Sequence, residues 1–439
     1  MALPETITST RTAAEHRGDH QTLHVRQNQT FNVKDYGALG DGTTDDTTEI
    51  QAALDAVPAA GGAVFFPVGI YIVSAPLVPK NHTRMFGNST PRYATGNLTL
   101  VSTEIRLGAS FAGAGMVSLP GTTRGVSIDH IGLAGNRVGT NVHGIRFPDI
   151  AAVTGEMAVY VDNVQIQGFT GSGMYGRLHV GILTNLMIMD NLGYGIECAS
   201  GTNDRWNDVK VGYSYLAFNR KGGVGFVSNG TTAGVSFISC RLERSGQVAQ
   251  NPENNPADAA WNADAAGARI SRGYRISFTN CDTDANTGPG FDVTGTVAGS
   301  SAFLTDISFT SCVAGRDGGG DQTVNPTANG VSSGFRVRGF SSIAADVAKF
   351  ISFTNCTSTT GKSKDSGPAA GAPTSPAYGL YLSSVYQSQW SMTIPTGNTA
   401  AIQTSGETYG CGVLYVDLAG ALKYLKGNAS GGTTTTLVA

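Results

Sequence analysis

Short segments of alternating apolar and polar residues dominate the chain. "ISFTNC" occupies residues 276–281 and returns at 351–356; "ISFTSC" stands at 307–312 and "VSFISC" at 235–240. In each, the first and third positions are apolar and the second is small and hydroxylated. A period of two is that of a half-buried strand. The same register reads upstream as "VKVGYS" from Val209, "LMIMDN" from Leu186, "VQIQGF" from Val164 and "IGLAGN" from Ile131. Starts at 131, 164, 186, 209, 235, 276, 307 and 351 give steps of 33, 22, 23, 26, 41, 31 and 44 residues. The short steps set a coil of about 22 residues, and the longer ones read as that coil plus loop insertions.

A second short strand follows each first one, usually opened by glycine: "GIRF" from Gly144, "GIEC" from Gly195, "GFDV" from Gly290, "GFRV" from Gly334 and "GLYL" from Gly379. A coil of two or three such strands predicts an all-β chain, a right-handed, single-stranded parallel β-helix. Each coil then buries its inner face only against the coils above and below it. The sixth position of the repeat carries Asn136, Phe169, Asn191, Ser214, Cys240, Cys281, Cys312 and Cys356. Cysteine is small and readily buried, so four of them stacked at about 4.8 Å per rung predict an interior ladder of thiols. Disulfides are the alternative for a chain with six cysteines, Cys198 and Cys411 being the others. No close CxxC pair or paired histidine spacing offers a zinc site, and no cofactor is expected.

The opening differs. "FNVKDYGALGDGTTDDTTEIQAALDAV" reads as a strand, an Asp41-Gly42 turn and a helix near 45–57, with Ile50, Ala53, Leu54 and Val57 on one stripe. Thr44 or Asp45 is placed to cap it, and the carboxylates favour the positive end of its dipole. A calcium site at Asp41, Asp45 and Asp46 is the alternative use of that cluster. In the following "AGGAVFFPVGIYIVS", Val64, Phe66, Ile70 and Ile72 alternate with their neighbours. A helix here would lid the raw β edge of the first coil, which would otherwise invite aggregation.

Composition narrows the function. Charged residues are 14% of 439, glycines number 59 and the formal net charge is −3, so there is no basic footprint for nucleic acid. No apolar run is long enough for membrane insertion. The first 27 residues lack the apolar core of a secretory signal, so export would need a signal already removed, or release by lysis. His16, His20 and His24 are spaced by four, but Gly18 interrupts any helix, so a solvated stem is expected rather than a metal site.

The stretch "NVKDYGALGDGTTDDTTEIQAALDA" with "GGAVFFPVGIYIVS" closely resembles the opening of the pectate-lyase-like β-helix superfamily. That superfamily includes polygalacturonases, mannuronan epimerases and many bacteriophage tailspikes. The resemblance covers about 31–78, and the coil pattern extends it to roughly 385. It implies the fold rather than an activity, because the motif forms the cap. The paired aspartates and Gly-His-Gly of polygalacturonase-like members are missing. So is the Asp-Pro-His of epimerase-like ones, for which "GSGMYGRLHVG" at 171–181 is the comparable stretch. "SIDHI" at 127–131 faintly resembles a pectate-lyase motif but lacks its tryptophan; a strand-edge Asp and His is the plainer reading. The C-terminal "VDLAGALKYLKGNASGGTTTTLVA" looks like the tail of phage spike proteins. The tailspike likeness implies a homotrimer on a phage tail or baseplate, or an extracellular protein, that binds and often cleaves a bacterial surface polysaccharide. Residues 1–30 would be a stem, 31–385 the β-helix with its cap at 31–78, and 386–439 a C-terminal β cap or trimerisation segment.

The second-strand repeats align Arg146, Tyr175, Glu197, Asp292, Arg336 and Tyr381 at one outward position, a stripe of charges and aromatics suited to a glycan, or else a solvated face. Trp261, Arg269 and several acids lie in the longest insertion, 241–274, which would wall a groove; Arg177, His179 and Arg205 complete the expected binding set. Hydrolysis needs two carboxylates, and Glu197 with Asp204, Asp208 or Glu243 is the candidate catalytic group. A lyase would use Tyr175, Arg177 and His179. A receptor-binding spike without catalysis, a purely structural tail component and a secreted lyase or epimerase of a cellular organism remain as alternatives. Serines 236, 277, 308 and 352 and threonines 279, 310 and 354 form outward ladders. With Met187 and Met189 read as outward too, that face is the expected trimer contact.

Overall fold

The computed structural model describes residues 30–89, 102–121, 124–147, 158–198, 206–227, 232–246, 264–295, 304–315, 317, 333–338 and 348–359, and from 378 onward the backbone of strands as far as 438. The expected stem with its three histidines, Asp204, Arg205, Trp261 and Cys411 lie outside the described residues.

Each coil carries three strands, and strands of successive coils pair in parallel. A 23-stranded sheet wraps the first and second faces, and a ten-stranded sheet forms the third. On the first face Val126, Val159, Gly181, Val209, Val235, Ile276, Ile307 and Ile351 stack in register. The interior is a continuous apolar column, because each strand sends alternate residues inward. Phe237, Phe278, Phe309 and Phe353 stack within it at centroid spacings of 4.7, 5.2 and 4.8 Å, the spacing of paired strands. The parallel coils continue through Ala400–Ser405, and Gly412–Val416, Leu422–Lys426 and Thr433–Val438 form a separate antiparallel sheet.

The eight repeat windows do not all fall on one face. Those from 209, 235, 276, 307 and 351 lie on the first face, but those from 131, 164 and 186 lead into the second. The coil partner of Val209 is Gly181, a step of 28 residues rather than 23. Both faces alternate with the same period and both end in a sharp corner, so a six-residue window cannot tell them apart. The corner after the first face is one left-handed residue followed by one buried residue. Asn163, Asn185, Tyr213, Ser239, Asn280, Ser311 and Asn355 have φ of 52 to 54°. The buried column is Ile131, Val164, Leu186, Ser214, Cys240, Cys281, Cys312 and Cys356. Asn191 belongs instead to the corner before the third face. There Asn191 donates to Asn219 at 2.9 Å, and Asn286 donates to the carboxylate of Asp317 at 2.8 Å.

The four repeat cysteines and Cys198 are buried free thiols. Contact with Cys281 and burial push the Cys240 thiol far up, so it stays protonated. The methionines need correcting. Met187 and Met189 stand on the second face, away from the serine ladder, and Met189 is 3% exposed. The insertion expected over 241–274 is also shorter, since Arg241–Glu243 is a second-face strand and Ala266–Ile270 a third-face one.

The lid helix α1 spans Thr47–Ala56 and buries Ile50, Ala53 and Leu54, with Val57 beside them. Asp46, not Thr44 or Asp45, holds the capping position, yet its side chain makes no cap bond. It accepts instead from the backbone N–H groups of Leu39 and Gly40, at 2.6 and 3.1 Å. Asp45 accepts from Thr47 and Ser74, and Asp41 from Thr43 and Thr44. The three carboxylates fasten separate turns. In the next strand Tyr71 and Val73 are buried and Ile70 and Ile72 are not, because the turn at Pro67 and Val68 resets the alternation that Val64 and Phe66 begin.

Asp317 is the last described member of the corner ladder and is fully buried, and burial pushes its carboxyl up to about 8 from 3.8. A carboxyl raised in the fold favours folding fully below its unfolded pKa and loses that contribution as pH climbs through its folded value. The denaturation midpoint should therefore fall between about pH 4 and about pH 8, and Asp317→Asn should flatten that slope. Separately, an alkylating reagent without reductant should label the four ladder cysteines only after denaturation.

Candidate functional site on the third face

The third face is held by glycine-led strands whose outward residues stack one per rung. Ser118, Arg146, Tyr175, Glu197, Gly225, Arg269, Asp292 and Arg336 follow in register, and the backbone pairing carries that register on to positions 381 and 403. The stripe read from sequence is thus one physical column. It missed Arg269, although "GARI" from Gly267 carries the same glycine-led signature as "GFDV".

The column has two halves. In the upper half the His143 ring stacks on Tyr175 at 4.1 Å and 12°. Burial pushes His143 down to about 4, helped by Arg146 and Lys221, so the ring is neutral. Its Nδ1 accepts from the Ser172 N–H at 2.9 Å, which leaves its proton on Nε2. The Ser172 hydroxyl bonds the Glu197 carboxyl and accepts from the Tyr194 N–H at 2.9 Å. Burial raises the Glu197 pKa against the pull of Ser172 and Lys221. Glycines at 222 and 225 open a window: a Cβ on Gly225 would meet the Tyr194 ring at 2.6 Å, so the ring lies across the next rung. Burial pushes the Tyr194 phenol up to about 12, with Arg269, Glu197, Asp292 and Asp264 all within electrostatic reach.

In the lower half Asp292 is locked. Arg336 donates to it at 2.8 and 2.6 Å and Arg269 at 2.6 Å, while Thr294 bonds the same carboxylate. Asp264 bridges both arginines, at 2.9 Å to Arg269 and 3.4 Å to Arg336. Burial opposes the charge on Asp292, but the two guanidinium groups hold its carboxyl far below the usual range. Asp292 is 1% exposed and Arg336 3%. This half reads as a staple across three rungs.

The other candidates are dispersed. Glu243 is on the second face, bonded by Tyr215 and paired with Arg241 at 2.5 Å. Asp208 sits at a left-handed kink on the first face, beside Asn207 at 3.0 Å. The structure therefore brings neither to Glu197. His179 lies past the third-face strand, 3.3 Å from Asn207, and Arg177 precedes it at the same edge. Sequence reasoning missed His143, Ser172 and Tyr194, because each precedes the aligned window and only the fold sets them beside Glu197. No group of three or more metal-ligating side chains occurs among the described residues.

Stacked parallel coils with a variable outer column define a parallel β-helix. Residues 30–233 match the family model described as Rhamnogalacturonase A/epimerase, pectate lyase-like, and the chain resembles pectate-lyase-like parallel β-helix proteins. Mannuronan C5-epimerase AlgE3 of Azotobacter vinelandii is 60% identical over 52 residues, which is 12% of this chain and 3% of that protein. Among solved structures, the A-module of the Azotobacter vinelandii mannuronan C-5 epimerase AlgE4 covers 86% of this chain and 98% of its own, at 19% identity and TM-score 0.57. ORF18 of Geobacillus virus E2 covers 98% of this chain and 81% of its own, at 14% identity and TM-score 0.52. These two likenesses show the fold.

Removing Asp292 takes away the buried carboxylate between Arg269 and Arg336 and leaves them only the more exposed Asp264. Asp292→Ala should cost about 3–5 kcal/mol, the usual penalty for breaking a buried ion pair from one side. Chemical denaturation measures it, with exposed Asp208→Asn, which keeps a side chain suited to the left-handed backbone there, as the near-neutral control.

Proposed function

We propose that this protein binds a bacterial surface polysaccharide along its third face and cleaves it, as a tailspike-like component of a phage virion or as an extracellular protein. The observation that carries the reading is Glu197. A carboxyl whose pKa burial raises, in register with an aromatic rung and beside a tyrosine, is suited to donate a proton to a leaving glycosidic oxygen. Likeness of fold to an epimerase module and to a viral protein supports the substrate class and the setting.

Hydrolysis would ask for a second carboxylate about 5–9.5 Å away. On this face the other stripe carboxylate, Asp292, is consumed by its two arginines. Among the described residues this disfavours hydrolysis; elimination would need, besides Glu197 to protonate the leaving oxygen, a base for the substrate's ring proton, for which Tyr175 and His179 are the candidates. His143 orients Ser172, and Ser172 holds Glu197. Binding without cleavage is the second reading; the extensive internal bonding of the column favours it.

The assembly proposed with this function is a homotrimer that packs through the lower first face. There Ser236, Ser277, Ser308 and Ser352 stack in one column, and Ile238, Thr279, Thr310 and Thr354 in the next. Two uncharged columns of mostly small side chains permit close approach, and closed symmetry leaves no open edge.

Glu197→Gln keeps the shape and removes the acid. It should abolish cleavage of host capsule while leaving the trimer mass by light scattering unchanged. Cleavage is read as reducing ends together with the absorbance of unsaturated uronates. Both signals mark elimination and reducing ends alone mark hydrolysis. Full activity in Glu197→Gln would sink the catalytic assignment, and a monomer would sink the trimer.

A further inference from the structure

The upper first face carries a second cluster that the proposed chemistry does not use. Arg84 grips Asp129 through Nε and Nη2, both at 2.8 Å, and its guanidinium lies 4.5 Å over the Phe86 ring. Asp129 also meets His130 Nδ1 at 3.0 Å. One rung on, Asp162 accepts from Thr184 at 2.6 Å and Asn185 at 2.8 Å, both on Oδ1. Tyr160 shares that strand and points outward beside Asp162. It is 45% exposed, with Ile182 stacked next to it at 44% and Tyr213 at the corner at 67%. Among the described residues no other ring packs on Tyr160.

We propose that this patch is a saccharide-anchoring site, separate from the third face, for an uncharged hydroxyl-rich glycan lying along the helix axis. Three properties select that ligand. The aromatic ring and its apolar neighbour offer a flat surface to the C–H face of a sugar. The carboxylates and amide beside them are already fixed by rung-to-rung bonds, so hydroxyl groups would be received with little ordering cost. Arg84, Ser127, Tyr160, Ile182 and Lys210 pair rung to rung in one outward column, and the formal charges of Arg84 and Lys210 offset those of Asp129 and Asp162, which complements a neutral chain and neither a polyanion nor a polycation. A second copy of this protein is a poorer occupant. It would have to desolvate these charged groups, a cost that only matched partners offset. The uncharged serine and threonine columns needed for close packing begin only further down, at Ser236.

The site does not depend on the third-face reading, and the test separates them. Full-length protein is titrated calorimetrically with uncharged hexasaccharides of gluco, galacto and manno configuration, and with alginate oligomers of the same length. At least one uncharged hexasaccharide should bind. Tyr160→Ala should weaken it about tenfold or more, equivalent to 1.4 kcal/mol. Asp162→Asn should weaken it as well, whereas Glu197→Gln should leave it unchanged. Since Tyr160 is exposed, Tyr160→Ala should melt like the wild type and keep any third-face cleavage. The proposal is overturned if no uncharged hexasaccharide binds, if Tyr160→Ala binds equally well, or if Glu197→Gln removes the binding. It is also overturned if Tyr160→Ala changes the particle mass, which would make the patch a contact between copies.

Discussion

A coil of this chain has no core of its own. Its inner residues leave water only when the coils above and below repeat the same path, so register between rungs is the constraint on which everything else rests. The corners enforce it. A left-handed residue costs a non-glycine side chain roughly 1–2 kcal/mol, and the chain repeats it at the same corner from Asn163 to Asn355. Asparagine and serine fill most of those positions, as expected of side chains that tolerate this region. Tyr213 and, at another corner, Phe218 hold the same conformation without that excuse. The corner is therefore imposed by stacking: Tyr213 N–H donates to Ile238 across the rung at 2.9 Å, and Phe218 N–H to Glu243 at 3.2 Å.

Register also explains why the buried polar groups come in ladders. A polar side chain inside a corner has no water, so its partner must come from the neighbouring rung. Asn191, Asn219, Asn286 and Asp317 solve this by bonding one another and the adjoining backbone. The cysteines solve it differently. Sulfur bonds weakly, so Cys240, Cys281, Cys312 and Cys356 need only a backbone carbonyl at 3.4 to 3.6 Å, and the column packs as a small apolar one.

The period-two alternation was enough to read the fold class, the outward columns and the thiol ladder, because these follow from which face of a strand meets the core. It failed where two faces share the same pattern. The windows from Ile131, Val164 and Leu186 look like those from Val209 onward, and only strand pairing separates them. Met187 and Met189 were misplaced for that reason. The third-face column was legible because a glycine precedes it in most coils. Tyr194 and His143 were not, since their value depends on Gly222 and Gly225 leaving space for one ring and on Tyr175 stacking against the other. No local pattern encodes such contacts between rungs.

The third face can carry chemistry because its outward column is free of the stacking rule that governs the interior. One rung can hold arginine, the next tyrosine, the next a carboxyl, without disturbing the core. That freedom has a limit, visible at Gly225. Above it Glu197 is half-buried and meets no guanidinium among its bonded partners, so its pKa is raised. Below it Asp292 is fully buried yet flanked by Arg269 and Arg336, and its pKa is held far down. Two carboxylates three rungs apart on one column are thus shifted in opposite directions by their neighbours. The glycine rung lets the Tyr194 ring lie between them, dividing a site-like half from a structural half.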